Sequence, residues 1–250
     1  MAVQWYMKKH ICRNGIEERT KYPVHSQYTK GKRAKREAAR EARRTDSSER
    51  QAARLLNENF SEKVDTHLLL EYDEKEMSVI QKLAETMDGE SEMDKLFKAA
   101  QQNLVNFVRR VQRANKDSGT EFLYLGVTAD IDGKTGEAVR IHHHFICDGA
   151  VKEICKKKWR GYVMEKELYT IHGDFTPLAE YLIRQVRAVP GTKRYVPSRN
   201  LRQPYSTPPI LVTRYGDSEM HVPKGCEELY RSPYIRGSSQ YLRFRRPKRE

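Results

Sequence analysis

The sequence predicts an α+β fold, a small and largely antiparallel sheet covered by helices, with a basic helical extension at the N-terminus. Short apolar runs recur between stretches whose apolar residues fall at three- and four-residue spacing, so strands are interspersed with helices. Two of the strand-like runs, residues 121–130 and 137–147, are joined by the turn-forming segment IDGKTG, which makes an antiparallel hairpin. Residues 30–44, KGKRAKREAAREARR, combine alanine with a dense run of cations, which favours a helix with little apolar face to dock.

Taken in order, residues 1–60 form a basic, partly helical extension, 61–205 a compact domain, and 206–250 an irregular basic tail. Within the domain, DTHLLLEYD (65–73) is an apolar run with polar flanks and suits a buried strand. MSVIQKLAETM and DKLFKAAQQNLVNFVRRVQRA carry the helical period. EFLYLGVTAD and EAVRIHHHFIC supply the hairpin strands. GAVKEICKKKW follows as a helix, RGYVMEKELYTI as a strand, and TPLAEYLIRQVRAV (176–189) as a helix with Thr176 as its cap and Pro177 as its first residue. From Pro190 onward Pro, Arg and Tyr dominate and periodicity is lost.

Composition narrows the function. The chain has 250 residues and a net charge of +13, an imbalance that does nothing for fold stability and points to a polyanionic partner, with nucleic acid first. No run of about 18 apolar residues is present, so no membrane partner is expected. The opening MAVQWYMKKHICRNG lacks the apolar stretch of a secretory signal, which predicts a cytoplasmic protein. Cys12, Cys147, Cys155 and Cys226 form no CxxC pair, which argues against structural zinc and against a disulfide scaffold. No GxxxxGK[ST] phosphate loop occurs, so no nucleotide-driven motor domain of that type is expected.

Two constellations carry chemistry. On the strand RIHHHFIC, His142 and His144 share one face and His143 takes the other. Two positions along a strand span about 6.6 Å, a gap that two imidazoles can close on one ion. Such a pair leaves coordination positions for a carboxylate, water and substrate oxygens, as a catalytic metal requires. The third ligand stays open: Glu137 has the wrong parity, and Asp130 has the right face but lies further along. On the helix 176–189, Tyr181, Arg184 and Gln185 fall at i, i+3 and i+4 and share a face. A phenol is a poor nucleophile at its ordinary pKa of about 10. Attack on phosphorus needs it aligned and the phosphate charge neutralised, which a metal and an adjacent arginine can supply.

Together these constellations resemble the HUH endonucleases, named for a His–hydrophobic–His strand followed by a tyrosine-bearing helix. The resemblance is greatest to rolling-circle replication initiators of phages and plasmids similar to the filamentous-phage gene II replication protein. NENFSEKVDTHLLLEYD, FLYLGVTAD, RIHHHFIC, WRGYV, AEYLIRQ and SRNLRQP occur in that family's order and cover roughly residues 10–205. His143 at the centre of the triplet, and Gln185 where some relatives carry a second tyrosine, are departures.

The resemblance implies an HUH nuclease fold with a ferredoxin-like or RRM-like core over 61–205. It implies Mg²⁺ or Mn²⁺ on His142 and His144, and attack by Tyr181 leaving a 5′-phosphotyrosyl link and a 3′-OH. Arg184, where many relatives have Lys, would position phosphate or metal. The implied partners are single-stranded or hairpin origin DNA with the helicase and polymerase of a bacterial host. Arg187, Lys193, Arg194, Arg199 and Arg202 lie in an acid-free stretch from Arg184 that would track the DNA backbone, with Tyr195 interleaved. A single-strand transposase or relaxase, and a non-catalytic DNA-binding regulator on the same fold, are the alternatives.

Overall fold

The computed structural model describes residues 2–26, 47–214 and 216–247, so the basic run 30–44 and its predicted helix lie outside the described residues. The chain divides into two compact units, residues 59–202 and a second assembled from 1–58 and 203–250.

The central unit is α+β. Its strands are β3 (Thr66–Glu71), β4 (Tyr124–Ile131), β5 (Ala138–Cys147), β6 (Tyr162–Lys166) and β7 (Val196–Pro197), in the order β6-β3-β5-β4-β7 and antiparallel throughout. Its helices are α2 (Glu74–Ala84), α3 (Glu92–Asn115), α4 (Lys152–Lys158) and α5 (Thr176–Arg184). Both α2 and α3 start where a short polar side chain accepts a backbone N–H of the first turn: Asp73 from Glu76 and Ser91 from Asp94.

β5 is the middle strand and is buried over its second half. Phe145 faces α3, where Phe107 meets it edge-on at 5.2 Å between ring centroids. Gly126, opposite Phe145 on β4, allows that approach, since a Cβ there would lie 3.0 Å from a Leu104 methyl. The antiparallel register sets Glu71, Leu69 and the neighbouring His67 of β3 beside His142, His144 and Ile146 of β5. Side chains alternate, so His67, Leu69, Glu71, His142 and His144 all belong to the sheet face away from α3.

α5 differs from its predicted form at both ends. Thr176 is not the cap but already helical; its N–H and hydroxyl both donate to one oxygen of the buried Asp174, at 2.9 and 2.7 Å. The helix stops at Arg184 because the carbonyl of Gln185 accepts the N–H groups of Asp130 and Ile131, at 3.2 and 3.3 Å. The edge of β4, irregular between Ala129 and Ile131, takes the acceptor that a further helical turn would have used.

The other unit is also built on an antiparallel sheet. β1 (Ala2–Ile11) and β2 (Ile16–Ser26) form a hairpin and α1 (Ser48–Asn59) follows. β8 (Tyr205–Ser206), β9 (Ile210–Leu211), β10 (Glu227–Arg231) and β11 (Gln240–Arg245) return from the C-terminal segment, in the order β10-β11-β2-β1-β8 with β9 also on β1. The expected N-terminal extension is therefore a β-hairpin over 2–26, and the expected irregular tail carries strands. The reason is non-local pairing: β11 hydrogen-bonds to β2 (Tyr241 opposite Thr20), and no local period announces a partner so distant in sequence. Leu242, Phe244 and Met220 form a core on one face. On the other, Arg54 of α1 meets the buried Glu18 at 2.7 Å and Arg50 lies 3.9 Å over the Tyr241 ring.

Candidate active site

The sheet face away from α3 brings together three histidines and one tyrosine. His142 and His144 approach with their Nε2 atoms 3.3 Å apart, and Nδ1 of His144 lies 3.0 Å from Nε2 of His67. The Tyr181 ring meets the His144 ring nearly at right angles, 5.7 Å between centroids. Tyr181 is 51% exposed, so its phenol is open to solvent while its helix is anchored by the buried Leu178, Leu182 and Ile183.

Hydrogen bonding constrains the tautomers. Nδ1 of His142 sits 2.8 Å from the Arg140 carbonyl, which only accepts, so Nδ1 carries the hydrogen and Nε2 the lone pair. With its hydrogen on Nδ1, His144 donates to His67 and turns a second Nε2 lone pair toward that of His142. Two lone pairs at this separation leave room for a cation between them. With its hydrogen on Nε2, His144 instead donates to His142 and accepts from His67. Burial pushes His144 down to about 2, helped by the neighbouring His67 and His142, while Gln185 acts in the other direction through a side-chain hydrogen bond. Burial, with Lys166 assisting, holds His67 at about 4. Both rings are neutral at physiological pH, the form in which imidazole binds metal.

The donor set fits two positions of a divalent ion. Among the described residues, no group of three His, Cys, Asp or Glu side chains is placed to hold a metal. Of the acids considered from sequence, Glu137 is exposed and precedes β5. Asp130 is buried and pairs with Arg187 at 2.9 Å; burial raises its pKa against the pull of that arginine. Sequence reasoning missed His67. Its signal was the alternation in THLLLE, which becomes informative once β3 is known to lie beside β5 in this register.

His143 points into the core, where Nε2 lies 2.6 Å from the Tyr72 hydroxyl and Nδ1 lies 3.1 Å from the Thr128 hydroxyl. A polar residue at the centre of the triplet is thus accommodated by two hydroxyls. Arg184 sits at the exposed end of α5 and pairs with Glu180 at 3.3 Å. Gln185 does not extend outward; its amide donates to the Tyr181 carbonyl at 3.1 Å.

The predicted DNA-contacting cations are placed unevenly. Arg187 serves Asp130, and with Arg194 it lines a shallow concavity. The Arg194 guanidinium donates to the Val186 carbonyl at 2.7 Å. Lys193 is held by its backbone to Gln101, and the Arg202 backbone is clamped by Asn59, leaving both side chains exposed as Arg199 is. The four cysteines are free thiols. No described helix is long and apolar enough to cross a membrane.

Comparison of the chain with protein-family models, curated proteins and solved structures finds no match in any of the three.

Proposed function

We propose that this protein is a DNA-nicking enzyme of the HUH type that initiates rolling-circle replication. The observation that carries the reading is the 5.7 Å edge-to-face contact between the Tyr181 ring and the His144 ring, on a sheet face where His142 joins His144. A nucleophile and a two-imidazole cation site then lie close enough to act on one phosphate.

In the reaction, the Tyr181 oxygen attacks phosphorus and the bond from phosphorus to the 3′ oxygen breaks. The phenol loses a proton and the departing 3′ oxygen gains one, so a phosphodiester is exchanged for a phosphotyrosyl diester without net hydrolysis. Mg²⁺ or Mn²⁺ held by His142 and His144 would supply charge neutralisation at the phosphate. Burial keeps the imidazole of His144 unprotonated, and His67 fixes its ring. Arg184, exposed at the helix end, would exchange its bond to Glu180 for a phosphate oxygen. The reverse attack by a 3′-OH closes the strand, which suits initiation and termination by one tyrosine. The free 3′-OH suits a host polymerase, and a host helicase would open the duplex. The exposed Lys193, Arg199 and Arg202 suit a single-stranded or hairpin origin, with affinity falling steeply as salt rises.

The test uses the full chain with Mn²⁺ and a pool of single-stranded DNA hairpins of randomised sequence. DNA that survives denaturation on the protein is recovered and sequenced. The reading expects adducts enriched in one sequence and none with Tyr181→Phe. Recovery of sequence-selective binding without any adduct, under either metal, would leave a DNA-binding regulator in its place.

A further inference from the structure

The edge strand β6 presents an unusual set of side chains. In YVMEK the half-buried Val163 and the acid Glu165 take one face. Glu165 is met there by Lys152 and Lys156 of α4, at 2.7 and 2.5 Å. The other face carries Tyr162, Met164 and Lys166. Tyr162 is 64% and Met164 54% exposed. A strand at the rim of a sheet normally turns its large apolar residues inward. This one turns them to solvent.

That face is the one that holds the imidazoles. Tyr162 stands opposite Glu71, which stands opposite His142; Met164 stands opposite Leu69, which stands opposite His144; and Lys166 stands opposite His67. Two strand spacings, about 10 Å, separate the rim from the imidazole pair. The charge of Lys166 reaches into the site, where it acts on both His67 and His144. An aromatic ring, a polarisable thioether and a cation in one row, continuous with a phosphate-directed site, match the chemistry of single-stranded nucleic acid.

We infer that the outer face of β6 is a platform for the stretch of single-stranded DNA next to the scissile phosphate, with bases stacked on Tyr162 and Met164 and the backbone held by Lys166. The inference rests on the nickase reading for the position of that phosphate, but the platform itself requires only a single strand. It is sequence-tolerant, because every base offers a π face.

The experiment measures binding of the full chain to fluorescein-labelled oligothymidylate by anisotropy in chelator, and in parallel adduct formation on the hairpin pool with Mn²⁺. Tyr162→Ala should weaken oligothymidylate binding about fivefold or more, the effect of losing one stacked base, with Met164→Ala acting in the same direction. Tyr162→Phe should bind within about twofold of the parent, since the ring remains. Lys166→Gln should lower the slope of log K against log salt by about 0.7, one phosphate contact to a single strand. Melting temperatures by circular dichroism confirm that the exposed substitutions leave the fold in place. Equal oligothymidylate binding by the parent and a folded Tyr162→Ala overturns the platform, whether or not adducts form, and assigns the patch to a protein contact. Weakened binding by Tyr162→Ala with no adduct from the parent supports the platform and sinks the nickase.

Discussion

At the scale of single residues, the site depends on His67 for a reason unrelated to catalysis by that ring. Its Nε2 is the group, 3.0 Å away, that can take the Nδ1 hydrogen of His144 and so free Nε2 of His144 for a cation. Outer-shell partners of metal-binding histidines are worth about 10- to 100-fold in affinity. His67→Ala should therefore weaken Mn²⁺ binding by about that factor, read by titration calorimetry on the apo protein. His67→Gln, which keeps an acceptor, should recover part of it. Equal Mn²⁺ affinity in parent and His67→Ala would show that the tautomer is set elsewhere. On the opposite face, His143 presents a stability prediction. It is fully buried between the hydroxyls of Tyr72 and Thr128. His143→Leu removes the partner of the Thr128 hydroxyl and leaves the Tyr72 hydroxyl only the Asn103 amide, so it should cost about 1–3 kcal/mol in urea unfolding. A neutral or stabilised His143→Leu would mean that water or rotation rescues the Thr128 hydroxyl.

At the scale of elements, α5 shows what positions the tyrosine. Its N-terminus is held by Asp174, which accepts from both the N–H and the hydroxyl of Thr176, and its C-terminus by the two backbone donors of β4 on Gln185. Asp174→Ala should lower stability by about 1–2 kcal/mol and reduce adduct yield at fixed Mn²⁺, because the helix carrying Tyr181 loses its first anchor. If adduct yield is unchanged while stability falls, the phenol is held by packing alone. Most of the central unit's elements were legible because they announce themselves locally; β7 (Val196–Pro197), in the aperiodic stretch after Pro190, did not. THLLLE and RIHHHFIC are apolar runs of strand length, while the helical period runs through 92–115 and 176–184. The His142–His144 pairing followed from strand parity and the Tyr181 face from helical spacing. What could not be read was the neighbour of each strand. His67 joined the histidine cluster through the β3–β5 register, while Asp130 left it because Arg187, distant in sequence, neutralises it.

At the scale of the whole molecule, both units share a burden of neutral buried histidine. The second unit was illegible for a topological reason: its sheet is joined by β11 pairing with β2, and its Glu18–Arg54 contact looks in sequence like two surface charges. Burial, followed by the charges of Arg54 and Lys8, pushes His10 there down to about 3; its Nδ1 lies 2.7 Å from the Ser206 hydroxyl. In the central unit, burial pushes His143 to about 3 and His67 to about 4. All lie below the ordinary value of about 6.5. As pH falls through 6.5 the unfolded chain takes up these protons before the folded chain does. Stability is therefore full above that point and declines below it toward the folded values, by at most about 1.4 kcal/mol per pH unit for each histidine. The chain's two tryptophans report on the units separately, Trp5 in one and Trp159 in the other, both buried. Urea unfolding of Trp5→Phe and Trp159→Phe, followed by fluorescence in chelator at pH 7.5, 6.5 and 5.5, should give midpoints that drop between 6.5 and 5.5 in both variants. The drop should be larger where Trp159 reports, because more neutral histidines lie buried in that unit. His10→Asn should flatten the acid limb where Trp5 reports and leave the Trp159 limb unchanged. Midpoints independent of pH across this range would mean that the rings are hydrated in the folded protein, and the neutral His144 that the proposed site requires would lose its physical basis.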